Sequence, residues 1–357
     1  MQKYKVAIII LNWNGWQDTI ECLASLMNST YQDFQMVVLD NGSTDDSLVQ
    51  ITNWAHGEIP VAYGPSPGEE KIDSVDCVEI AREALHDKST FIEKTRAKKL
   101  VLIRNAENLG FAKGVNVGIR YAVEHDFEYT YLLNNDTTLE HNSLHHLIEF
   151  IDDGVNRNIV TPLITFYDDP SKVWYYGGTL TFTGRRKFYF ANEPKAKIAM
   201  DDQRKISFIS GCALFCRTAI FKKYGLLTED FFFGEEDHEF SHRMKKNGVA
   251  MFALAKAEVY HKVSISNKKV FSEDRLPYKF IGYLNRFVHK KITMQHHVLL
   301  WKAWRSINLA YIVPKLIFLE KYEYKKIKKF ATLLIKYSNK VSSVDRELFF
   351  EAQNLLK

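Results

Sequence analysis

Four short polar segments could act together on one ligand: Asn12-Trp13-Asn14, Asp40-Asn41-Gly42-Ser43, Asn108-Leu109-Gly110-Phe111 and Asn134-Asn135-Asp136. Each follows an apolar run that reads as a strand, and in an open α/β sheet ligands sit beyond the carboxyl ends of the strands. A carboxylate such as Asp136 at that edge can hold a divalent cation, and the cation can hold a diphosphate. Asp40 could accept hydrogen bonds from a base or a ribose hydroxyl. Any one segment alone reads as an ordinary turn, because Asn, Asp and Gly are favoured there. Four in the same phase of a strand and helix alternation are harder to dismiss.

The elements that must position these segments are legible upstream of each. Tyr4 to Leu11 ends in a nearly continuous β-branched run, which fits a central parallel strand buried on both faces. Ile20, Leu23, Ala24 and Leu26 recur at helical spacing. Phe34 to Leu39, Leu100 to Ile103 and Tyr129 to Leu133 read as further strands. The helix expected from Ala112 to His125 carries Gly114 and Gly118, where it could approach a neighbour closely. This order predicts a right-handed, mostly parallel α/β sheet. Residues 56 to 99 interrupt it, with Pro60, Pro65, Pro67 and Gly68 before helical text from Cys77 to His86, and read as an excursion from the sheet. Beyond a helix at Asn142 to Ile151 and a strand at Ile159 to Phe166, the stretch from Trp174 to Phe190 reads as hairpin material. Phe208 to Arg217 reads as a strand interrupted by Gly211, and Val249 to Val259 as a last strand ending at Tyr260-His261.

Composition bounds the rest. The 357 residues are 46% hydrophobic and 25% charged, an ordinary balance for a folded chain. Four cysteines do not make a disulfide framework and are expected to be reduced, and no short Cys and His spacing suggests zinc. The apolar run near the N-terminus is too short for a signal peptide, so the expected location is the cytoplasm. The net charge is +5, yet from Arg286 to Lys340 thirteen basic residues face only Glu320 and Glu323, which suggests an anionic partner for that region. Val298 to Leu319 is apolar but broken by Lys302, Arg305 and Lys315, and no uncharged run nears the ~20 residues that span a bilayer. An amphipathic element on the inner face of the plasma membrane is one reading, and a helical subdomain or homodimer surface with a solvated Lys face is the other.

Taken together, Val6 to Asn14, Asp40 to Asp45, Asn108 to Gly114, Leu133 to Asp136, and Glu236-Asp237 through Arg243 resemble family 2 glycosyltransferases, most of all the branch described as rhamnosyltransferase-like. The resemblance covers about residues 4 to 265. It implies a GT-A fold over 1–265, with the insertion at about 56–99 and a basic helical region over 266–357. It further implies a nucleotide-diphosphate sugar donor, dTDP-rhamnose or a UDP-sugar, a Mg2+ or Mn2+ ion, inversion at the anomeric carbon, and a glycan or lipid-linked acceptor in bacterial surface polysaccharide synthesis. Asp40 then matches the nucleotide-binding aspartate, and Asn12, Asn14, Asn41, Gly42, Asn108, Gly110, Asn134, Asn135 and Gly211 fall on the donor side. Asp136 matches the last residue of the Asp-x-Asp metal motif, whose first position is Asn134 here, and His261 matches a histidine that completes the metal shell. Asp237 matches the general base, with Glu236 second; Glu235 and Trp174 fall on the acceptor side. An acidic helix cap competes for Glu235 to Asp237, and plain core competes for Trp174. A nucleotidyltransferase would carry a basic phosphate loop after the first strand, which Asn12-Trp13-Asn14-Gly15-Trp16 lacks. A silent nucleotide-sugar binding module is the other alternative, and no nucleic-acid partner is expected.

Overall fold

The β-branched run beginning at Val6 forms β1 (Val6–Asn12) at the centre of an eleven-stranded sheet in the computed structural model, which describes residues 4–65, 69–70, 74–86, 88–181, 186–263 and 275–356. Pro67, Gly68 and the boundary expected near residue 265 lie outside the described residues. Side chains of β1 alternate between two cores: Val6, Ile8 and Ile10 face one, Ala7 and Ile9 the other. Full burial of each Ile is worth roughly 1.5–3 kcal/mol, so the strand is fixed far more firmly than the loop it carries.

From β1 the chain passes through α1 (Trp16–Met27) to β2 (Phe34–Asp40) and α2 (Ser47–Ala55). A two-residue ladder of β3 (Val61–Ala62) with β4 (Glu69–Glu70) follows, then β5 (Cys77–Ala81), α3 (Lys88–Thr95) and β6 (Leu100–Arg104). Next come α4 (Phe111–Glu124), β7 (Tyr129–Asn134), β8 (Thr137–Leu139), α5 (Ser143–Asp152) and β9 (Ile159–Phe166). The first half of the sheet, β5-β6-β2-β1-β7, is parallel throughout. The chain builds outward from β1 through β2 and β6, then returns to the other side of β1 at β7. That reversal is a topological switch point, where a doubly wound sheet opens a crevice between strand ends. The register Asn12↔Asp40 and Leu11↔Asn134 brings three of the polar segments to one edge.

Close packing of α4 explains its small residues: a Cβ at Gly118 would meet Ile9 at 2.6 Å and one at Gly114 would meet Leu11 at 2.6 Å. Helices α1, α2 and α5 cover one face of the sheet, and α4, α6 (Ala219–Tyr224) and α7 (Glu236–Lys246) the other. The second half is mixed. It holds β10 (Val173–Tyr175), the hairpin of β11 (Gly178–Leu180) with β12 (Arg186–Phe188), then β13 (Gln203–Ile206), β14 (Ala213–Arg217) and β15 (Met251–His261). β14 runs antiparallel between β7 and β9, while β15 is parallel to β9. The C-terminal helices α8 (Leu276–Thr293), α9 (Val298–Pro314), α10 (Tyr324–Lys340) and α11 (Arg346–Leu355) enclose a third core that includes Phe231 and Phe232.

Two expectations are corrected. Cys77 to His86 is not a helix: β5 joins the sheet beside β6 and a 3-10 turn follows at Arg82–His86. Residues 56–99 therefore include an edge strand of the central sheet, and only its pairing with β6 distinguishes its short, half-buried pattern from helix. The strand expected over Phe208 to Arg217 starts only at Ala213, because the Ile209 amide donates to Ser241 Oγ on α7 at 3.0 Å rather than into a ladder. All four cysteines are free thiols.

Candidate active site

A cleft of about 460 Å³ opens at the switch point. Asn41, Asn108, Gly110, Asn134, Asn135 and Asp136 come to it from the strand ends; Trp174, Gly211, His261, Glu236 and Asp237 come from the second half. Asn12, Asn14, Asp40 and Gly42 are not among the residues that line it. The Asp40 carboxylate is buried and accepts from Asn12 Nδ2 at 2.9 Å and from the Ser43 amide at 3.1 Å. Asn14 Oδ1 accepts from the Thr44 amide at 2.8 Å. Asn41 Nδ2 donates to Asn108 Oδ1 at 3.0 Å and to the Gly110 carbonyl at 3.1 Å, tying the loop after β2 to the loop after β6. Close backbone approaches demand glycine twice. Gly42 has φ +70° and a Cβ there would lie 2.4 Å from the Glu107 backbone; Gly110 has φ +84° and a Cβ would lie 2.3 Å from the Phe232 carbonyl.

Pairing of β8 with β15 in the register Thr137↔His261 sets His261 beside Asp136, with Nε2 and Oδ1 3.2 Å apart and both side chains buried. Burial works against charge on the imidazole, but Cys212 and Asp136 outweigh it and raise the His261 pKa to about 10. Burial likewise opposes the Asp136 carboxylate, and His261 holds its pKa below the usual aspartate value. Without a cation this is an ion pair; the two atoms, about 3 Å apart, could share one divalent cation once the imidazole gives up that proton. Trp174 packs edge-on against His261, ring centroids 4.4 Å apart, so it supports the histidine as well as walling the cleft.

Across the cleft, α7 begins at Glu235, which has φ +80°. A non-glycine residue in that region costs on the order of 1–3 kcal/mol and needs compensation. The compensation is its buried carboxylate, which accepts from His238 Nδ1 and His289 Nδ1 at 3.0 Å each and from Arg186 Nη2 at 3.2 Å. Glu235 does not line the cleft itself; it lines a smaller adjoining pocket of about 220 Å³ with Arg186, Phe233, Gly234 and Tyr278, which line the cleft as well. Glu236 and Asp237 do line the cleft. Burial, and then the charge of Asp237, push the Glu236 carboxyl up to about 8, so at neutral pH it carries a proton while its Oε2 has no protein partner. Arg186 lies 3.6 Å from Asp237 Oδ1.

Sequence reasoning missed Arg186, although an Arg-Arg-Lys run at 185–187 opposite an acidic run was a signal. It also missed Tyr278, Phe349 and Phe350, which the C-terminal helices contribute to the cleft, so that region is part of the site. Among the described residues, no helix is long and apolar enough to cross a membrane.

No curated protein sequence matches the chain. Among solved structures, GalNAc-T7 with UDP, GalNAc and Mn2+ is similar at TM-score 0.51 and 14% identity, covering 98% of this chain and 56% of that one. The chain therefore spans little more than half of that neighbour. The mannosyltransferase PcManGT from Pyrobaculum calidifontis, in complex with GDP-Man and Mn2+, is similar at TM-score 0.50 and 12% identity, covering 99% and 84%. These likenesses establish the GT-A fold. The profile of "Glycosyl transferase family 2" matches residues 7–71 and 73–225, more than half of the sequence, and the chain belongs to that family.

Proposed function

We propose that the protein is an inverting, metal-dependent glycosyltransferase that moves a sugar, rhamnose in first place, from a nucleotide-diphosphate donor to a glycan or lipid-linked acceptor in bacterial surface polysaccharide synthesis. The observation that carries this reading is one cleft with the buried Asp136 and His261 pair on its strand-end side and Asp237 on its helix side. Both solved neighbours hold a nucleotide and Mn2+. Asp136 and His261 would hold Mn2+ or Mg2+ here, with an imidazole nitrogen favouring Mn2+. When bound, the cation supplies charge that neutralises the departing diphosphate.

The chain's own residues do the rest. The stitched loops around Asn41 and Asn108, braced by Asn12, Asn14, Asp40 and Gly42, hold the nucleotide end. Asp237 takes the proton from the acceptor hydroxyl as the anomeric carbon is attacked. Arg186 keeps that carboxylate oriented. Glu236, protonated, donates a hydrogen bond to sugar or acceptor from its unpartnered Oε2. The aromatic lining around Trp174, Tyr175 and Phe208 suits the apolar C-H face and methyl group of a 6-deoxyhexose. A UDP-hexose or galactofuranose transferase is the second reading, favoured by the UDP in one neighbour.

The C-terminal helices supply a surface for a lipid-linked acceptor. Leu299, Ile307, Phe318 and Leu319 are exposed among Lys302, Lys321 and Lys325, a combination that suits an anionic lipid surface. The tryptophans of these helices turn inward: Trp301 is buried, its indole donating to the Phe287 carbonyl at 3.0 Å, and Trp304 is half-buried.

A screen of dTDP-, UDP- and GDP-sugars for Mn2+-dependent turnover tests the proposal. Turnover of dTDP-rhamnose, with a loss of about 10²–10⁴ in Asp237→Asn and retained donor binding, is the expected result. Nucleotide binding without turnover of any donor by the wild-type protein would reduce it to a binding module.

A further inference from the structure

Behind α7, on the side away from the cleft, lies a second cavity of about 540 Å³. Its walls come from α7, α8 and the residues around β11, closed by Trp304 of α9. Four basic side chains line it, Lys245, Lys246, Arg286 and Lys290, and no carboxylate does among the described residues. A wall of one sign around a concave space concentrates counter-charge. The surface lysines alone would be weak grounds; the buried histidines make it a built site. His238 and His289 are 6% and 5% exposed, and both spend Nδ1 on Glu235. Both Nε2 atoms are buried without a protein partner, in side chains that line the cavity. Two such orphaned nitrogens cost free energy unless something in the cavity pairs with them. Thr181 and Thr293 add hydroxyls to the same wall.

We propose that this cavity is a second anion site, which takes a phosphate- or diphosphate-bearing ligand through the surrounding Lys and Arg side chains and through His238 and His289, which as imidazolium ions donate Nδ1–H to Glu235 and Nε2–H to the ligand. The positive field is already felt by His242 in the same wall: burial first, and then His289 and Lys290, lower its pKa to about 4. The cavity has the volume of a small-molecule site, and Leu180 and Trp304 give it an apolar side for whatever the phosphate is attached to. Through Glu235 and Arg186 the site connects to Asp237, so an occupant would act on the orientation of the proposed base.

The same three side chains could be read as a cation site, since Glu235, His238 and His289 offer donor atoms within 4.8 Å of one another. The surroundings oppose that reading. Arg186 already shares the Glu235 carboxylate, and four further cations crowd the neighbouring cavity.

Calorimetric titration of the full chain with inorganic pyrophosphate, in EDTA, tests the site independently of the donor reading. Wild type and Asp136→Ala should bind alike, which keeps the donor cleft out of the measurement, whereas Lys245→Glu/Lys290→Glu should weaken binding at least about tenfold, as should moderate salt. Should the double variant fold poorly, the exposed Lys246→Glu alone should still cost about threefold. Tighter binding of geranyl diphosphate than of pyrophosphate would identify a lipid-linked headgroup as the source, and equal binding a free phosphate; both support the site. Binding that survives the cavity substitutions, or that disappears in Asp136→Ala, overturns it. So does one equivalent of Zn2+ that is retained through dialysis and lost in His289→Gln.

Discussion

One helix, α7, separates two cavities of opposite character. Its first turn puts Glu236 and Asp237 into the cleft, while His238, His242, Lys245 and Lys246 line the cavity behind it. Consecutive residues on a helix point about 100° apart, so a sequence that reads as a single charged stretch is divided by geometry into an acidic front and a basic back. Glu235 and Arg186 straddle the division. Arg186 reaches two carboxylates, Glu235, held by the histidines of the back, and Asp237 in front. The lesson is that the acidic run is two devices: Glu235 locks the strained start of the helix, and its neighbours face the cleft.

Removing the tie should have the largest effect. Arg186→Met leaves the buried Glu235 with its two histidines but strips Asp237 of its nearby cation. Breaking a buried pair from one side typically costs about 3–5 kcal/mol, and a half-buried Arg186 places the expectation at the lower end. Turnover should fall on the order of a hundredfold, with kcat affected more than KM. Loss of stability with full activity would mean that front and back are independent. The backbone on the front side is the next point of attack. Gly110→Ala places a Cβ against the Phe232 carbonyl at positive φ, and should lower the chemical denaturation midpoint by the equivalent of about 2 kcal/mol or more. No comparable penalty is expected at Gly248, behind the helix, where a Cβ would meet nothing within 4 Å and only its positive φ opposes the change.

The asymmetry between the two sides also governs what could be read in the sequence. β1, β2, β6 and β7 were legible because β-branched runs are local and their polar ends are chemically distinct, and the structure brings Asn41, Asn108, Asn134 and Asp136 into one cleft. The partners behind α7 were not. His289 lies 51 residues from His238, and only the packing of α8 against α7 joins them. The fifth parallel strand, Cys77–Ala81, was hidden for the same reason, since its five residues gain their identity from β6. Arg186 lies on a hairpin whose placement over the start of α7 is tertiary, and Tyr278, Phe349 and Phe350 reach the cleft from helices that read in sequence as a separate basic region. Local pattern carried the donor side of the cleft; long-range packing built the other side.

A titration sharpens the front of the helix further. Glu236 keeps its proton up to about pH 8 in the folded protein, against the usual 4.5 of a glutamate, so the native state holds a proton that the unfolded chain releases. That contribution to stability is complete below about pH 4.5 and is lost as pH rises through 8. Glu236→Gln has no proton to lose. Its melting temperature relative to wild type should therefore rise between pH 5 and pH 8, by on the order of 5 °C for a chain of this size, and level off above. A gap that does not change with pH would put the charge on Glu236 throughout and give the cleft a second ionised carboxylate.

The smallest expected effect concerns the basic side where it continues onto the surface. Leu299, 81% exposed, projects from α9, which carries Lys302, and Phe318, 76% exposed, from the π-helical turn Lys315–Leu319 that precedes Lys321. If these side chains meet an anionic lipid surface, Leu299→Ser/Phe318→Ser should leave the melting temperature nearly unchanged, because substitutions at exposed positions away from special features stay within about 0.5 kcal/mol. Flotation with vesicles of phosphatidylcholine and phosphatidylglycerol should show binding reduced severalfold. Replacing one lysine, Lys302→Gln, should cost about 1 kcal/mol of vesicle affinity, a fivefold change, and less as salt is raised. The two substitutions probe different forces, and only an interface that is both apolar and electrostatic responds to both. Equal binding to neutral vesicles would mean that Lys302 takes no part in the contact.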